Sequence, residues 1–343
     1  MAGQSNDQAH EESHKDKEVG FVHRPVLLKE VVTWLSDSAN GVFFDFTVGG
    51  GGHLRALAEC AGAGAELYGV DRDESAVAVS SRRLSTYPQV KRIINAPFST
   101  VAEVLRELDI KTISGALLDL GVSSPQIDRA ERGFSFQGDA PLDMRMDQTQ
   151  KTSAADLIAT MSVSELTDTL WKYGEEKRSA RIARAIVKAR DSQLPDGQAL
   201  QTTGDLRRVI RATVGEANLT RTLARVFQAL RIAVNDELGE LERALPQIID
   251  SLSLGGRVGV IAYHSLEDKI VKQTFAKYSG ACVCPPGLPV CSCGALQELK
   301  ALTKKPIVAG DEEIMNNPRS RSAKFRVAER VAERVALADG GRK

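Results

Sequence analysis

The sequence predicts an open, doubly wound α/β sheet, mostly parallel, interrupted by an inserted all-helical domain. Three observations predict it. Apolar strand-like runs alternate with helix-like segments through the first third, two of those runs end on aspartates, and from about Gln126 to Arg225 charged helical segments replace the alternation.

Each element follows in order. VFFDFTV (Val42 to Val48) reads as a buried strand, His53 to Cys60 as a helix start, and ELYGVDRD (Glu66 to Asp73) as a second strand ending on acids. Ser75 to Leu84 has helical spacing, VKRIIN (Val90 to Asn95) reads as a third strand, and Thr100 to Leu108 as a helix. GALLDLGV (Gly115 to Val122) is nearly continuous in apolar residues, as a central parallel strand covered on both faces should be. After the helical stretch the pattern predicts one long helix from Phe227 to Leu252, a Gly-Gly turn, the strand RVGVIAYH (Arg257 to His264) and a helix from Glu267 to Lys277. The segment 1–20 is polar and the pattern fades after Ala328, which predicts a disordered start and a frayed, partly helical end. The expected division is a disordered 1–20, a core of 21–125 and 226–330, a helical insertion at 126–225 and a flexible tail at 331–343.

Composition excludes little. The 343 residues suffice for about two domains, and Lys plus Arg equal Asp plus Glu at 45 each, so any basic surface must be local. Without a run of eighteen apolar residues or a hydrophobic leader, a cytoplasmic protein that spans no membrane is the expectation.

The stretch FFDFTVGGGGHLRALAE (Phe43 to Glu59) places four consecutive glycines between a strand and a helix, so a ligand or another segment must approach that backbone closely. A P-loop requires Lys and then Ser or Thr after its last glycine, but His53 and Leu54 follow here. A dinucleotide fingerprint counted from Gly49 needs a glycine where Leu54 stands, which opposes a nicotinamide-dependent dehydrogenase. What remains is a helix N-terminus beside glycines, with Asp71 about twenty residues on and suited to ribose hydroxyls. An adenosine-bearing ligand without a pyrophosphate fits, and S-adenosylmethionine is the common one.

LLDLGVSSPQ (Leu117 to Gln126) puts Asp119 and a Ser-Ser-Pro-Gln loop at the next strand's carboxyl end, where doubly wound sheets bind ligands. The loop loosely resembles the element with which methyltransferases orient exocyclic amines. Such amines are weak nucleophiles because the lone pair is delocalised into the ring, and acceptors on their N–H groups localise it. Carbon methylation would need a cysteine nucleophile, and none of the five cysteines lies in these loops. Asp119, Ser124 and Pro125 are therefore the candidate catalytic residues.

From His23 to about Arg330 the chain resembles the bacterial small-subunit ribosomal RNA cytosine-N4 methyltransferases of the MraW type. The resemblance is carried by HRPVLLKEVV, VGGGGH, GVDRDESA, APFS, LLDLGVSSPQIDRAERGFSFQGDAPLDMRMD, YGEEKRSARIARAIV, FQALRIAVNDELGELE, GGRVGVIAYHSLEDKIVK and NPRSRSAKFRVAER. It implies a Rossmann-like methyltransferase sheet, S-adenosyl-L-methionine as cofactor, and cofactor contacts at Gly51, Gly52, His53, Asp71, Phe98, Asp119 and Gln126. It also implies methylation of a cytosine exocyclic amine in the decoding region of 16S ribosomal RNA, on free RNA or on the assembled small subunit. A ribosome-assembly factor that binds the cofactor without turnover shares every binding feature, and the oligomeric state stays open, a homodimer included. Phe46 and Ala96 depart from the family pattern, and neither is expected to touch a ligand group.

Several residues carry two readings. Phe98 suits a core, and only its place after the third strand makes it a wall for adenine. His53 offers either its backbone N–H or its ring. Ser265 reads as an N-cap with Asp268 as its capping-box partner, while His264, at a strand's carboxyl end, is a candidate to face the substrate. Lys177, Arg181, Arg184 and Lys188 recur at helical spacing opposite Ile182, Ala185, Ile186 and Ala189. With Arg207, Arg208 and Arg211, and with Arg319, Arg321, Lys324 and Arg326, they suggest phosphate contacts to RNA, with little base stacking from the insertion. The target cytosine would leave its stack to reach the loop at Ser124 and Pro125. Cys282, Cys284, Cys291 and Cys293 form a C-x-C pair of pairs that suits either one zinc or free thiols, and no metal is assigned.

Overall fold

The computed structural model describes residues 25–123, 126–127, 129–192, 200–280 and 296–332. Its sheet comprises β1 (Val42–Asp45), β2 (Glu66–Asp71), β3 (Val90–Asn95), β4 (Ile113–Asp119), β5 (Leu252–Ala262), β6 (Leu299–Ala301) and β7 (Lys324–Arg330), in the spatial order β3-β2-β1-β4-β5-β7-β6. The first five pair in parallel, whereas β7 runs antiparallel to β5 and β6 antiparallel to β7. The chain builds outward from β1 to one edge and then returns at β4 to build the other way. The topological switch point, where such sheets bind ligands, therefore lies between β1 and β4. Register brings three aspartates to that end: Asp45 pairs with Gly69 and Leu117, Asp71 with Asn95, and Asp119 with Ile261. β4 is buried along most of its length, as its apolar run requires, while the edge strand β3 leaves Lys91 and Arg92 exposed.

Helices α1 (Leu28–Leu35), α2 (Gly52–Cys60), α3 (Glu74–Leu84) and α4 (Val101–Glu107) accompany the first four strands. The insertion holds α5 (Ala154–Thr160), α6 (Val163–Gly174), α7 (Ser179–Asp191), α8 (Thr203–Val214) and α9 (Leu219–Asn235), and the sheet half resumes with α10 (Glu237–Ser251), α11 (Ser265–Tyr278) and α12 (Asp311–Asn316). One face of the sheet packs Phe44, Val70, Leu118 and Val260 with Leu245, and the other packs Phe43, Leu117 and Phe325 with Leu35 and Leu54. A separate core joins the insertion helices through Leu166, Leu170, Ile182, Ile186, Leu206 and Phe227.

The structure corrects several expectations. The single helix from Phe227 to Leu252 is two helices: Asp236 adopts a left-handed backbone (φ 49°) and ends α9, and α10 begins at Glu237. Pairing of Arg231 with Glu237 across the break, and of Asn235 with the loop ahead of α5, favours the bend over a straight helix. The expected boundary at residues 225 and 226 thus falls inside α9, whose Val226, Phe227, Leu230 and Val234 pack in the insertion's core, and the packing changes hands at Asp236. Leu252 opens β5 instead of closing a helix. The N-cap of α11 is His264 with Glu267 as its capping-box partner, one residue earlier than Ser265 and Asp268, because Asp268 is drawn away to Arg326. Ordered pairing continues past Ala328: Glu329 binds Arg257, and Arg330 donates to the Ile249 carbonyl. The segment 1–20, the four clustered cysteines and residues 333–343 lie outside the described residues.

Candidate active site

A cavity of about 480 Å³ opens at the carboxyl ends of β1, β2, β4 and β5. Its floor is the glycine loop. Gly49 and Gly51 take left-handed backbone (φ 50° and 79°), which lets the chain turn sharply from β1 into α2. Their roles differ. A Cβ on Gly49 would find no atom nearer than 3.8 Å, so the room for a ligand lies there, whereas one on Gly51 would press on Leu84 at 3.0 Å and one on Gly52 would strike Pro25 at 2.4 Å. Gly49, Gly50 and Gly52 line the cavity, and Gly51 turns behind its wall. No side chain among the described residues caps α2, so its first N–H groups stay available to a ligand.

Asp71 ends β2 at this floor. Its Oδ2 accepts the Gly49 N–H and its Oδ1 the Asp73 N–H, both at 2.9 Å, which fixes the carboxylate and leaves a lone pair on each oxygen. Burial raises its pKa to about 6, against the lowering effect of those two bonds. Phe98, partly buried in the turn after β3, contributes an apolar wall. Two adjacent hydroxyls would meet Asp71 and a planar ring would meet Phe98, so the donor set and the open space over Gly49 fit the adenosine of S-adenosylmethionine.

Asp119 ends β4. Its N–H donates to Thr47 Oγ1, its Oδ1 accepts the Tyr263 hydroxyl at 2.7 Å, and its Oδ2 lies 3.7 Å from His53 Nδ1. Burial pushes the Asp119 pKa up, and burial followed by the Asp119 charge pushes Tyr263 up, so the phenol stays a donor. The His53 ring is buried and used. Its Nε2 sits 2.9 Å from the Val26 carbonyl, which only accepts, so Nε2 carries the hydrogen and Nδ1 faces Asp119.

Gln126 donates to Asp73 Oδ2 and accepts the Ser123 N–H, while Arg132 reaches the same Asp73 oxygen at 2.9 Å. Burial pushes Asp73 up, but bonds from Ser75, Gln126 and Arg132 outweigh it and hold the carboxyl below its usual range. Gln126 thus pins the loop to the end of β2 while lining the cavity. Ser124 and Pro125 lie outside the described residues, and their neighbour Ser123 lines the cavity.

Sequence reasoning missed Asp45, Arg231, Glu237, Tyr263 and Glu267. Asp45 is 1% exposed, accepts the Thr47 N–H, and has its pKa raised to about 7, chiefly by burial, with the charges of Asp119 and Asp71 adding to it. Its signal was present, since VFFD ends on an acid as the other two strands do. Arg231 and Glu237 flank a helix break that the pattern hides. Phe46, expected clear of any ligand, lines the cavity wall. His264 does not line it, because its ring is turned onto Glu267, with Nε2 3.1 Å from Oε1.

The basic residues divide. Arg326 is buried against Asp268, which Lys324 also approaches, and Arg208 and Arg211 pair with Asp205 and Glu216. Arg181, Arg184 and Lys188 are exposed along α7 and form no ion pair among the described residues; Lys177 precedes that helix. Trp171, 59% exposed on α6, gives the insertion an aromatic surface that was not expected.

The strand order, the glycine turn and the acidic strand ends define an S-adenosylmethionine-dependent methyltransferase. Residues 20–331 match the model of the MraW methylase family. The ribosomal RNA small subunit methyltransferase H of Geotalea uraniireducens (strain Rf4) is 46% identical over 314 residues, covering 91% of this chain and 99% of its own length. That of Geobacter sulfurreducens is 46% identical over 311 residues, with the same coverage of 91% and 99%. An rRNA methylase from Streptococcus thermophilus, known as a crystal structure, superposes with a TM-score of 0.41 at 12% identity over 91% of this chain and 99% of its own. The chain belongs to the MraW methylase family.

Proposed function

We propose that this protein methylates the exocyclic N4 amine of a cytosine in small-subunit ribosomal RNA, in the decoding region. The observation that carries the reading is Asp119, a partly buried acceptor at the switch point beside the loop of Ser123 and Gln126, in a cavity whose other end suits adenosine. The relatives named as small-subunit ribosomal RNA methyltransferases, matched over nearly their full length, support the substrate class.

Gly49, Gly50, Asp71 and Phe98 would hold the cofactor, which supplies an electrophilic methyl group on a sulfonium. The protein's own work lies in orienting the amine. Tyr263 takes one lone pair of Asp119 Oδ1, so Oδ2, which accepts no bond among the described residues, is the oxygen with more capacity to accept an N4–H bond and localise the lone pair. Ser124 and Pro125 would supply the rest of the amine's cradle. As the new N–C bond forms, the C–S bond breaks with its electrons left on sulfur. The amine is then cationic, and its proton passes to Asp119 Oδ2, whose raised pKa suits it to accept one. The Tyr263 hydroxyl holds that carboxylate in place. Arg181, Arg184 and Lys188 would dock RNA phosphates around the cavity.

Small subunits from cells lacking this protein, incubated with it and methyl-labelled cofactor, should gain label at one cytosine as N4-methylcytidine. Absence of turnover would favour the cofactor-stabilised assembly factor.

A further inference from the structure

We infer that Arg231 reads the target base: its free guanidinium nitrogen donates to the O2 edge of the cytosine whose N4 amine meets Asp119. The inference rests on the cytosine-N4 reading above and adds the group that anchors the O2 edge of the base while Asp119 tells its amine from a carbonyl.

The cavity has two polar ends. Gly49 and Asp71, at the ends of β1 and β2, make one, and Asp119, Tyr263, Glu267 and Arg231, toward β4 and β5, make the other. Arg231 lines the cavity with Tyr263 and Glu267 and lies within reach of the Glu267 charge, which puts it toward the second end. Tyr263 bonds Asp119 through its hydroxyl and Glu267 through its N–H, and the charge of Glu267 acts on both Asp119 and Arg231. Arg231 and Asp119 therefore flank one buried carboxylate.

The guanidinium is held with a donor to spare. Nε and Nη2 form a two-point pair with Glu237 at 2.8 and 2.9 Å, and among the described residues Nη1 has no partner. Its helix end is also braced against the cofactor side of the cavity. Asn235 takes the Met146 N–H, donates to the Met144 and Arg231 carbonyls, and receives Arg72 Nη1 on its own carbonyl. Arg132 carries that bracing on from the Met146 carbonyl to Asp73. A donor fixed to this degree costs little ordering when a base arrives.

The chemistry then selects. Cytosine presents a donor at N4 and acceptors at N3 and O2, matching an acceptor at Asp119 and a donor at Arg231. Uracil presents a carbonyl at position 4, which would face the Asp119 carboxylate without a hydrogen between them. Rejection of uracil follows from unpaired buried polar groups rather than from size.

The test uses the full chain and small subunits from cells lacking it. Arg231→Lys keeps the charge and a bond to Glu237 but loses the donor fixed at the position of Nη1. The double change Arg231→Gln, Glu237→Gln removes the pair without leaving a lone buried charge. Both variants should fold and keep the parent's Kd for S-adenosylmethionine, with thermal unfolding somewhat earlier because the pair supports the bend, while single-turnover methylation at saturating subunits falls about 100-fold. Cytidine monophosphate should protect the cofactor-loaded parent against heat more than uridine monophosphate does, and the protection by each should fall in the variants, because both bases carry O2. Methylation at the parental rate in a folded Arg231→Lys protein would overturn the assignment. So would a selective loss of cofactor affinity, which would place Arg231 on the methyl donor. A parent that methylates a base elsewhere than cytosine N4 sinks the underlying reading instead, which mapping the product of the parent decides separately.

Discussion

The sheet half and the helical insertion start their helices differently. In the insertion, α5, α6 and α8 each open on a capping box: Ser153 with Asp156, Ser162 with Glu165, and Thr202 with Asp205. In the sheet half, α3 and α11 are capped by Asp73 and His264, but α1, α2, α4 and α10, like α7 and α9 of the insertion, open with no side-chain cap among the described residues, and α2 begins on Gly51 beside the cavity. Charge divides the same way. The sheet half gathers the buried Asp45 and the partly buried Asp71 and Asp119, while the outer face of α7 in the insertion carries cations that pair with no acid among the described residues. The insertion spends its polar side chains on its own helix ends and leaves a surface free. At the cavity, backbone donors and carboxylates are left for a ligand.

The largest expected effect lies at the meeting point of the acids. Asp119→Asn keeps the volume but removes the charge and turns one acceptor oxygen into a donor, and single-turnover methyl transfer should fall by about a hundredfold to a thousandfold. Tyr263→Phe, which only frees Oδ1, should cost less; a larger loss in the phenylalanine variant would mean that the phenol touches the reacting atoms. Next comes the cofactor end, where Asp71→Ala should weaken S-adenosylmethionine binding by about 1.5–3 kcal/mol, measurable by calorimetry. Because the ionised Asp71 is the better acceptor and its pKa is about 6, affinity in the parent should fall as pH drops through that value, and the alanine variant should lose this dependence. A pH-independent parent would remove Asp71 from the ribose site.

Smaller effects sharpen the contrast from the other side. Neutralising Arg181, Arg184 and Lys188 should leave cofactor affinity alone and flatten the salt dependence of RNA binding, the log–log slope falling by about 0.7–0.9 for each phosphate that the variant no longer neutralises. Equal slopes would make α7 an ordinary solvated face. Asp45 tests the buried acids through stability. Its folded pKa of about 7 exceeds the ordinary 3.8, so its contribution is fully present below about 3.8 and is lost as pH rises through 7. Asp45→Asn should flatten the decline in Tm across that window. Last, Ser162→Ala should cost about 1 kcal/mol by denaturant melting without touching turnover.

What was legible follows the same division. The strands, the glycine turn, Asp71 and Asp119 could be read because each depends on a short local pattern at a strand end. Asp45 carried that pattern and was passed over because the glycines beside it drew the reading. The break at Asp236 was not legible, since the apolar spacing runs through it and only tertiary pairing of Asn235 and of Arg231 with Glu237 bends the chain. Tyr263 was hidden because its partner Asp119 is far away in sequence, and Arg231 because it meets Glu237 only once the chain bends between them. His264 was misread by one residue because Glu267 and Asp268 both fit a capping box, and the choice was made by Arg326 on β7.

The central claim is that Asp119 presents a cytosine amine to a methyl donor held over Gly49 and Asp71. The most direct test is a rapid-quench single turnover, with protein, labelled S-adenosylmethionine and unmethylated small subunits at saturation, followed by mass-spectrometric mapping of the labelled base. The account predicts N4-methylcytidine at one position with the parent, and a rate about a hundredfold or more lower with Asp119→Asn at unchanged subunit binding. Label on a carbon or ring nitrogen of the base, or parental rates from the asparagine variant, would contradict it.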